Sequence, residues 1–251
     1  MNRLPAAILA CATLSTSAFT TAHAAPVASD GLYVGYYQED PVSNPEDPTM
    51  GSVFLSLPGG DSSFSGSMFF TFVGCQHESL GAVAGSKSGE ALKGTWSGAV
   101  DDTQQKGAFE GAWSATLGGY AGAYTVAGGK QHVAIADCID YFIAPRGTWE
   151  LLPVGTSVPA SFAIAVDGTM LHWTPPPGVA MTLVYVLDPA LAKAGAPHAA
   201  AWQTLLFGAG KRAADLRLAH MKPGHTYVVA VSMADGSAKH VGFASRTLVA
   251  P

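Results

Sequence analysis

The sequence lacks long hydrophobic runs and has few charged residues. Of its 251 residues, only 12% are Asp, Glu, Lys or Arg. After Ala25, no stretch approaches the roughly 18 apolar residues that a membrane-spanning helix requires. We therefore expect no transmembrane segment in the mature chain. The hydrophobic content of 48% is enough for real cores, which excludes a disordered chain.

The first residues have the pattern of a secretory signal. One basic residue, Arg3, precedes the small and apolar stretch from Leu4 to Leu14, and the small-x-small tripeptide of residues 22–24 follows. This pattern predicts a signal peptide over residues 1–24, cleaved after Ala24. It predicts a periplasmic or secreted protein without distinguishing the two locations.

Cysteine is scarce, and the predicted mature chain contains only Cys75 and Cys138. In an exported protein, two cysteines favour one disulfide over two buried free thiols. Such a bond would close a loop of roughly 63 residues and stabilise the fold by about 4 kcal/mol in the chain-entropy model.

Charge is distributed unevenly along the chain. Residues 25–150 contain 14 acidic and 5 basic residues, whereas residues 151–251 contain 4 acidic and 7 basic ones. This asymmetry predicts two domains, over residues 25–152 and 153–251. The acidic first domain argues against nucleic acid as a partner.

A glycine-centred pattern recurs in the first half, with a large apolar residue two positions before and two positions after the glycine. It occurs at residues 64–68, 92–96, 109–113 and 120–124. Since strand side chains alternate, all three positions share one face of a strand. The pattern predicts an all-β domain, an antiparallel barrel or sandwich, in which Trp96, Trp113 and Tyr124 either fill the core or line a ligand cavity.

The rhythm of glycine followed two residues later by Trp or Tyr resembles that of avidin-type and lipocalin-like small barrels. The resemblance covers about 60 residues and concerns spacing alone. No biotin-site pattern can be placed on these residues, so the resemblance implies a small barrel and no particular ligand.

The second half resembles a fibronectin type III domain. Residues 221–227, MKPGHTY, are similar to the stretch that enters strand F of that family, with Tyr227 at the position of the tyrosine corner. Upstream, residues 163–166 and 170–176 resemble strands A and B, with Trp173 in the core. Met181 to Leu187 would be strand C, and Val241 to Leu248 strand G. The resemblance implies a β sandwich and a spacer, adhesive or docking role, and no catalysis.

The sequence contains no complete nucleophile, zinc or phosphate-binding motif, and we assign no catalytic residue, metal ligand or cofactor. The densest polar stretch is an opening loop with three prolines, which carries Glu39, Asp40, Glu46 and Asp47. These four acids, with Trp96, Trp113 and Tyr124, are the candidate ligand-binding residues. A solvated acidic loop and a calcium-binding loop remain the alternatives.

From these features we expect an exported, non-catalytic binding or cell-envelope interaction protein whose partner is a protein or a carbohydrate. The alternatives are a secreted hydrolase that acts on polysaccharide through acidic loops of the first domain, and a purely structural envelope component. A cavity with two facing carboxylates would favour the hydrolase. A filled core beneath an acidic surface would favour binding.

Overall fold

The computed structural model describes residues 31–40, 49–72, 77–100, 103–129, 131–133, 141–193, 200–208, 210–237 and 239–250. These residues are almost entirely in strands. The first ten strands are β1 (Gly31–Glu39), β2 (Thr49–Leu57), β3 (Ser62–Phe72), β4 (His77–Ser88), β5 (Ala91–Val100), β6 (Thr103–Ser114), β7 (Gly119–Val126), β8 (Gln131–Val133), β9 (Tyr141–Ile143) and β10 (Arg146–Pro153).

The remaining elements follow β10 in the chain. They are β11 (Ser157–Val158), β12 (Ile164–Asp167), β13 (Met170–Trp173), β14 (Met181–Leu187), α1 (Pro189–Lys193), β15 (Ala200–Phe207), β16 (Ala213–Asp215), a 3₁₀ turn (Leu216–Ala219), β17 (Thr226–Ala234) and β18 (His240–Val249). The predicted all-β class is therefore confirmed.

The strands β1 to β7 and β10 form a closed barrel, while β8 and β9 form a separate two-stranded ribbon. Every neighbouring pair in the barrel is antiparallel, and β10 pairs with both β7 and β1. Of the two predicted architectures for this half, the barrel is confirmed.

The strand registers make the barrel narrow. A path across paired residues leads from Glu39 to Gly147, Tyr124, Phe109, Gly94, Gly85 and Phe64. The register of β2 and β3 continues it to Leu57, which pairs with Gly31 of β1. The path returns to β1 eight residues before its start, so the stagger of the barrel equals its number of strands. A barrel of eight strands with this stagger has an interior that layers of four side chains, taken from alternate strands, can fill.

Two of the interior layers consist entirely of glycine. The strands β1, β3, β5 and β7 contribute Gly35, Gly66, Gly94 and Gly122, and the strands β2, β4, β6 and β10 contribute Gly51, Gly81, Gly107 and Gly147. Three glycines of the recurring sequence pattern, Gly66, Gly94 and Gly122, thus lie at one height in the barrel, whereas the fourth, Gly111, lies outside both layers.

The glycines provide the space into which larger side chains fold. A Cβ atom built on Gly107 would lie 1.8 Å from the carbonyl oxygen of Thr125 and 2.5 Å from Nε1 of Trp96. The barrel core consists of buried tyrosine, tryptophan, phenylalanine, leucine, valine and methionine side chains. The interior of the barrel is therefore packed.

The second half contains a five-stranded sheet, ordered β11-β18-β17-β14-β15, and a three-stranded sheet, ordered β12-β13-β16. A hydrophobic core joins them, with Leu171 and Trp173 from the smaller sheet and Val184, Val229 and Val231 from the larger one. The two sheets therefore pack face to face. The predicted strands at residues 163–166, 181–187 and 241–248 are present within two residues, and the strand predicted within residues 170–176 spans Met170–Trp173.

The barrel packs against the other face of the five-stranded sheet. Val34, Phe54 and Phe69 from outside the barrel share one core with Leu183 and Tyr185 of β14. Consequently all seven residues of β14 are buried. The barrel and the two sheets form three β layers with a hydrophobic core on each side of the middle one.

Some sequence-based predictions concern residues outside the described part of the chain. The signal peptide, the Cys75–Cys138 disulfide and the acids Glu46 and Asp47 belong to this group. Within the described residues, no helix is long and apolar enough to span a bilayer.

Candidate functional site

Four of the predicted site residues lie towards the same end of the barrel. Glu39 is the last residue of β1, and Asp40 follows it. Tyr124 lies near the end of β7, and Trp96 lies two layers inside this end of the barrel. We call this end, where β1 ends and β10 begins, the acidic end. Glu46 and Asp47 follow Asp40 in the sequence but lie outside the described residues.

Glu39 points into the barrel and is only 3% exposed. Its Oε1 accepts a hydrogen bond of 3.2 Å from the backbone N–H of Ala144. A buried carboxylate is costly unless hydrogen bonds or cations compensate it. The Ala144 N–H therefore holds the Glu39 carboxylate in one position, and the side chain closes the core at the acidic end.

Asp40 belongs to the surface of the same end. Its backbone N–H donates to the carbonyl of Arg146 at 3.1 Å, and its Oδ2 accepts from Nε of Arg146 at 3.0 Å. The Arg146 side chain is 70% exposed, so solvent screens this ion pair strongly. The pair fixes the first residue after β1 against β10.

Tyr124 and Trp96 lie beneath these acids as parts of the core. The Tyr124 ring meets those of Tyr37 and Trp96 edge to face, with centroids 5.7 Å and 6.4 Å away. Burial, and then the negative charges of Glu39 and Asp40, raise the pKa of Tyr124 well above its usual value. The hydroxyl is therefore neutral and capable of donating a hydrogen bond towards the acids.

Trp96 has a specific structural contact as well. Its Nε1 donates a 3.2 Å hydrogen bond to the carbonyl of Thr125, across the space that Gly107 leaves open. Trp96 is 5% exposed. Both aromatics therefore fill the core, which is the simpler of the two interpretations that the sequence left open.

Trp113 lies at the opposite end of the barrel and takes no part in the acidic end. Its ring packs edge to face on Tyr120, with centroids 5.3 Å apart. Its Nε1 and the Tyr120 hydroxyl are buried, with no hydrogen-bond partner among the described residues. The predicted set of seven residues is therefore not one site.

Sequence reasoning missed Gln105, which lies towards the acidic end and is 2% exposed. Neither polar atom of its amide has a hydrogen-bond partner within the described part of the chain. The sequence does contain a signal for a buried Gln105. Every second residue of β6 faces inward, and this series of Gly107, Phe109, Gly111 and Trp113 continues by one polar residue to Gln105.

The chain segments that connect the barrel strands at this end are rich in acidic residues. The segments that enter or leave it, residues 39–49, 72–78, 100–103 and 126–146, contain nine acidic residues and two basic ones. The segments at the other end, residues 57–62, 88–91 and 114–119, contain Asp61 and Glu90. In sequence, the connecting segments at the acidic end are therefore more acidic than those at the other end.

Among the residues whose burial the structure describes, Glu39 is the only buried carboxylate. No group of three or more His, Cys, Asp or Glu side chains is arranged around a common point for a metal ion in the same part of the chain.

Comparison with protein-family models, with curated proteins and with solved structures gives no match for this chain.

Proposed function

We propose that the protein is an exported, non-catalytic binding protein of the cell envelope or its surroundings. The observation that carries the proposal is the packed barrel, whose interior aromatic and aliphatic side chains fill the space between two glycine layers. A packed interior directs recognition to the surface. Export itself rests on the signal pattern of residues 1–24.

The acidic end of the barrel is the proposed binding surface. The nine acidic residues in the segments that connect its strands would attract a positively charged partner over distances of about 10 Å at moderate salt. Asp40 and Glu39 are held in place by the Arg146 side chain and the Ala144 N–H. The partner class that fits is therefore a basic protein segment, with a basic polysaccharide as the carbohydrate alternative.

We also propose that residues 153–251 form a fibronectin type III-like domain that supports the barrel. The strand order in the two sheets is compatible with that family. The Tyr227 hydroxyl accepts a 3.0 Å hydrogen bond from the backbone N–H of Lys222, as a tyrosine corner requires. The barrel ends at Pro153 and the next strand begins at Ser157, which supports the boundary near residue 152.

The experiment is a binding titration of the mature protein with poly-L-lysine at low and moderate salt. The variant Glu46→Gln/Asp47→Asn removes two charges from the acidic end. Glu90→Gln/Glu110→Gln removes two charges from exposed carboxylates elsewhere on the barrel. We expect the first variant to weaken binding several-fold and the second to change it little, because local charge sets the attraction.

Equal weakening by both variants would show that only net charge matters, and no binding by the unmodified protein would refute the acidic end as a surface for basic partners. Release of reducing sugar from a polysaccharide by the purified protein would instead favour the hydrolase alternative.

A further inference from the structure

The contact between the barrel and the five-stranded sheet contains an imidazole ring. His240, the first residue of β18, stacks on Tyr36 of β1, with ring centroids 3.3 Å apart and ring planes 9° apart. Phe243 lies beside both rings, 6.4 Å from His240 and 5.9 Å from Tyr36 between centroids. The imidazole therefore lies between the two parts of the molecule.

The two nitrogens of this imidazole have different surroundings. Nε2 is buried and has no hydrogen-bond partner among the described residues. The backbone of Gly242 bonds to the ring in a way that favours the protonated form, as an accepting carbonyl does. Nδ1 is then the nitrogen that carries the hydrogen, and a second proton would have to enter at Nε2.

None of the described groups that face His240 forms a hydrogen bond with Nε2. From the barrel, β1 contributes Tyr36 and the neutral Gln38, whose Oε1 lies 3.5 Å from the backbone nitrogen of His240. The carboxylate of Glu150, on β10, accepts a hydrogen bond from the Tyr36 hydroxyl.

The turn that precedes β18 contributes two further charged groups, Asp235 and Lys239. The carboxylate of Asp235 accepts hydrogen bonds from the backbone N–H groups of Ser237 and Lys239, and the Lys239 residue is exposed. Burial, the largest cause, lowers the pKa of His240 from 6.5 to about 3.

We propose that the His240–Tyr36 stack is a pH-sensitive contact between the barrel and the five-stranded sheet. In its neutral form the imidazole fits between Tyr36 and Phe243. A proton on Nε2 places a charge in this contact without an acceptor, so the ring moves towards water and the contact loosens. The device acts on the same surface that buries Val34 and Leu183, and it needs no ligand.

The direction of the pH effect follows from the two protonation states. The closed form binds the proton less well than a form in which His240 is solvated. The stabilisation is therefore complete above about pH 6.5 and is lost as the pH falls towards 3. Mildly acidic conditions weaken this contact, and alkaline conditions do not.

The test compares the unmodified protein with His240→Phe, which keeps an aromatic ring in the stack and cannot be protonated. His225→Phe is the matched control, because His225 is exposed. Thermal melting is measured at about pH 7.5 and about pH 5. We expect the melting temperature of the unmodified protein and of His225→Phe to fall by several degrees more than that of His240→Phe.

Two further measurements keep the test decisive if His240→Phe folds poorly. His240→Gln also removes the titration, and the imidazole signals of the unmodified protein report the protonation of His240 directly by NMR. Amide exchange in β1 and β18 should increase selectively at about pH 5, after correction for the intrinsic rate. A His240 signal that titrates near 6.5, or an unchanged pH dependence in both variants, would overturn the proposal.

Discussion

The barrel and the five-stranded sheet solve the problem of burial in different ways. In β7 and β10 the buried residues alternate with exposed or half-buried ones, whereas every residue of β14 and eight of nine in β17 are buried. In β7 and most of β10 the barrel covers one face of the strand, whereas the strands of the middle sheet are covered on both faces. The comparison shows that the number of covered faces, rather than strand length, decides whether a strand alternates.

The barrel and the middle sheet also differ in the side chains that form their cores. The barrel core combines rings with glycine, while the cores on the two faces of the middle sheet are mainly valine, leucine, alanine and methionine. A ring that lies over a glycine has little freedom to adjust, whereas aliphatic side chains can repack. The barrel should therefore tolerate added volume poorly, and the sheet should respond mainly to lost volume.

The largest expected effect comes from adding one methyl group to a glycine layer. Gly107→Ala should destabilise the protein by at least about 4 kcal/mol, because the new Cβ would collide with the Thr125 carbonyl and the Trp96 indole. Urea unfolding measures the loss. Gly236→Ala is the control, since nothing lies within 4 Å of its Cβ, and it should change stability by less than about 0.5 kcal/mol.

A smaller effect is expected when volume is removed from the middle sheet. Leu183→Ala should cost about 3 kcal/mol, because Leu183 is fully buried between the sheet and the barrel. Leu191→Ala, at a residue 39% exposed, should cost far less. Since the lost contact joins both regions, circular dichroism and tryptophan fluorescence should report the same lowered melting temperature. Two separate transitions would contradict a shared core.

One hydroxyl in each region provides the next comparison. Tyr227→Phe should cost about 1–2 kcal/mol, because the Lys222 N–H loses its acceptor. Tyr120→Phe in the barrel should be neutral or slightly stabilising, because its buried hydroxyl has no hydrogen-bond partner within the described part of the chain. Equal losses in denaturant unfolding would show that hydrogen bonding does not distinguish these tyrosines.

The smallest effect concerns the ion pair at the acidic end. Arg146→Gln should cost at most about 1 kcal/mol, because its side chain is largely exposed, and the loss should shrink as salt is added. Arg246→Gln, at an exposed position of β18, is the charge-matched control. A loss in Arg146→Gln that is independent of salt would mean that packing of the arginine stem matters more than its charge.

The sequence predicted the barrel half well because its signal is local. Gly94 and Gly122 each lie two positions from large residues on both sides, and this alternation specifies strand and face without long-range information. The three strands around Trp173, Leu183 and Tyr227 were identifiable from the resemblance to a fibronectin type III domain. Closure into a barrel was left open against a sandwich, because it depends on the pairing of β1 with β10, more than 100 residues apart.

The candidate site was predicted less well. Trp96 and Trp113 have equivalent sequence surroundings, but β5 and β6 run in opposite directions, which places the two residues near opposite ends of the barrel. The contact between Tyr36 and His240 joins residues about 200 positions apart, and nothing near either residue signals it. The excess of acidic residues could be read from the sequence, but assigning the acidic connecting segments to one end of the barrel required the strand directions.

The two glycine layers also have a consequence for misfolding. An error of one residue in strand pairing turns every inward side chain outward, and the alternation of β7 or β10 already opposes it. An error of two residues keeps that alternation, so hydrophobicity alone cannot reject it. Such a slip would move Trp96 or Tyr124 to a height that only glycine fits. The glycines therefore act as a proofreading device that excludes the pairing errors to which a meander of similar strands is most prone.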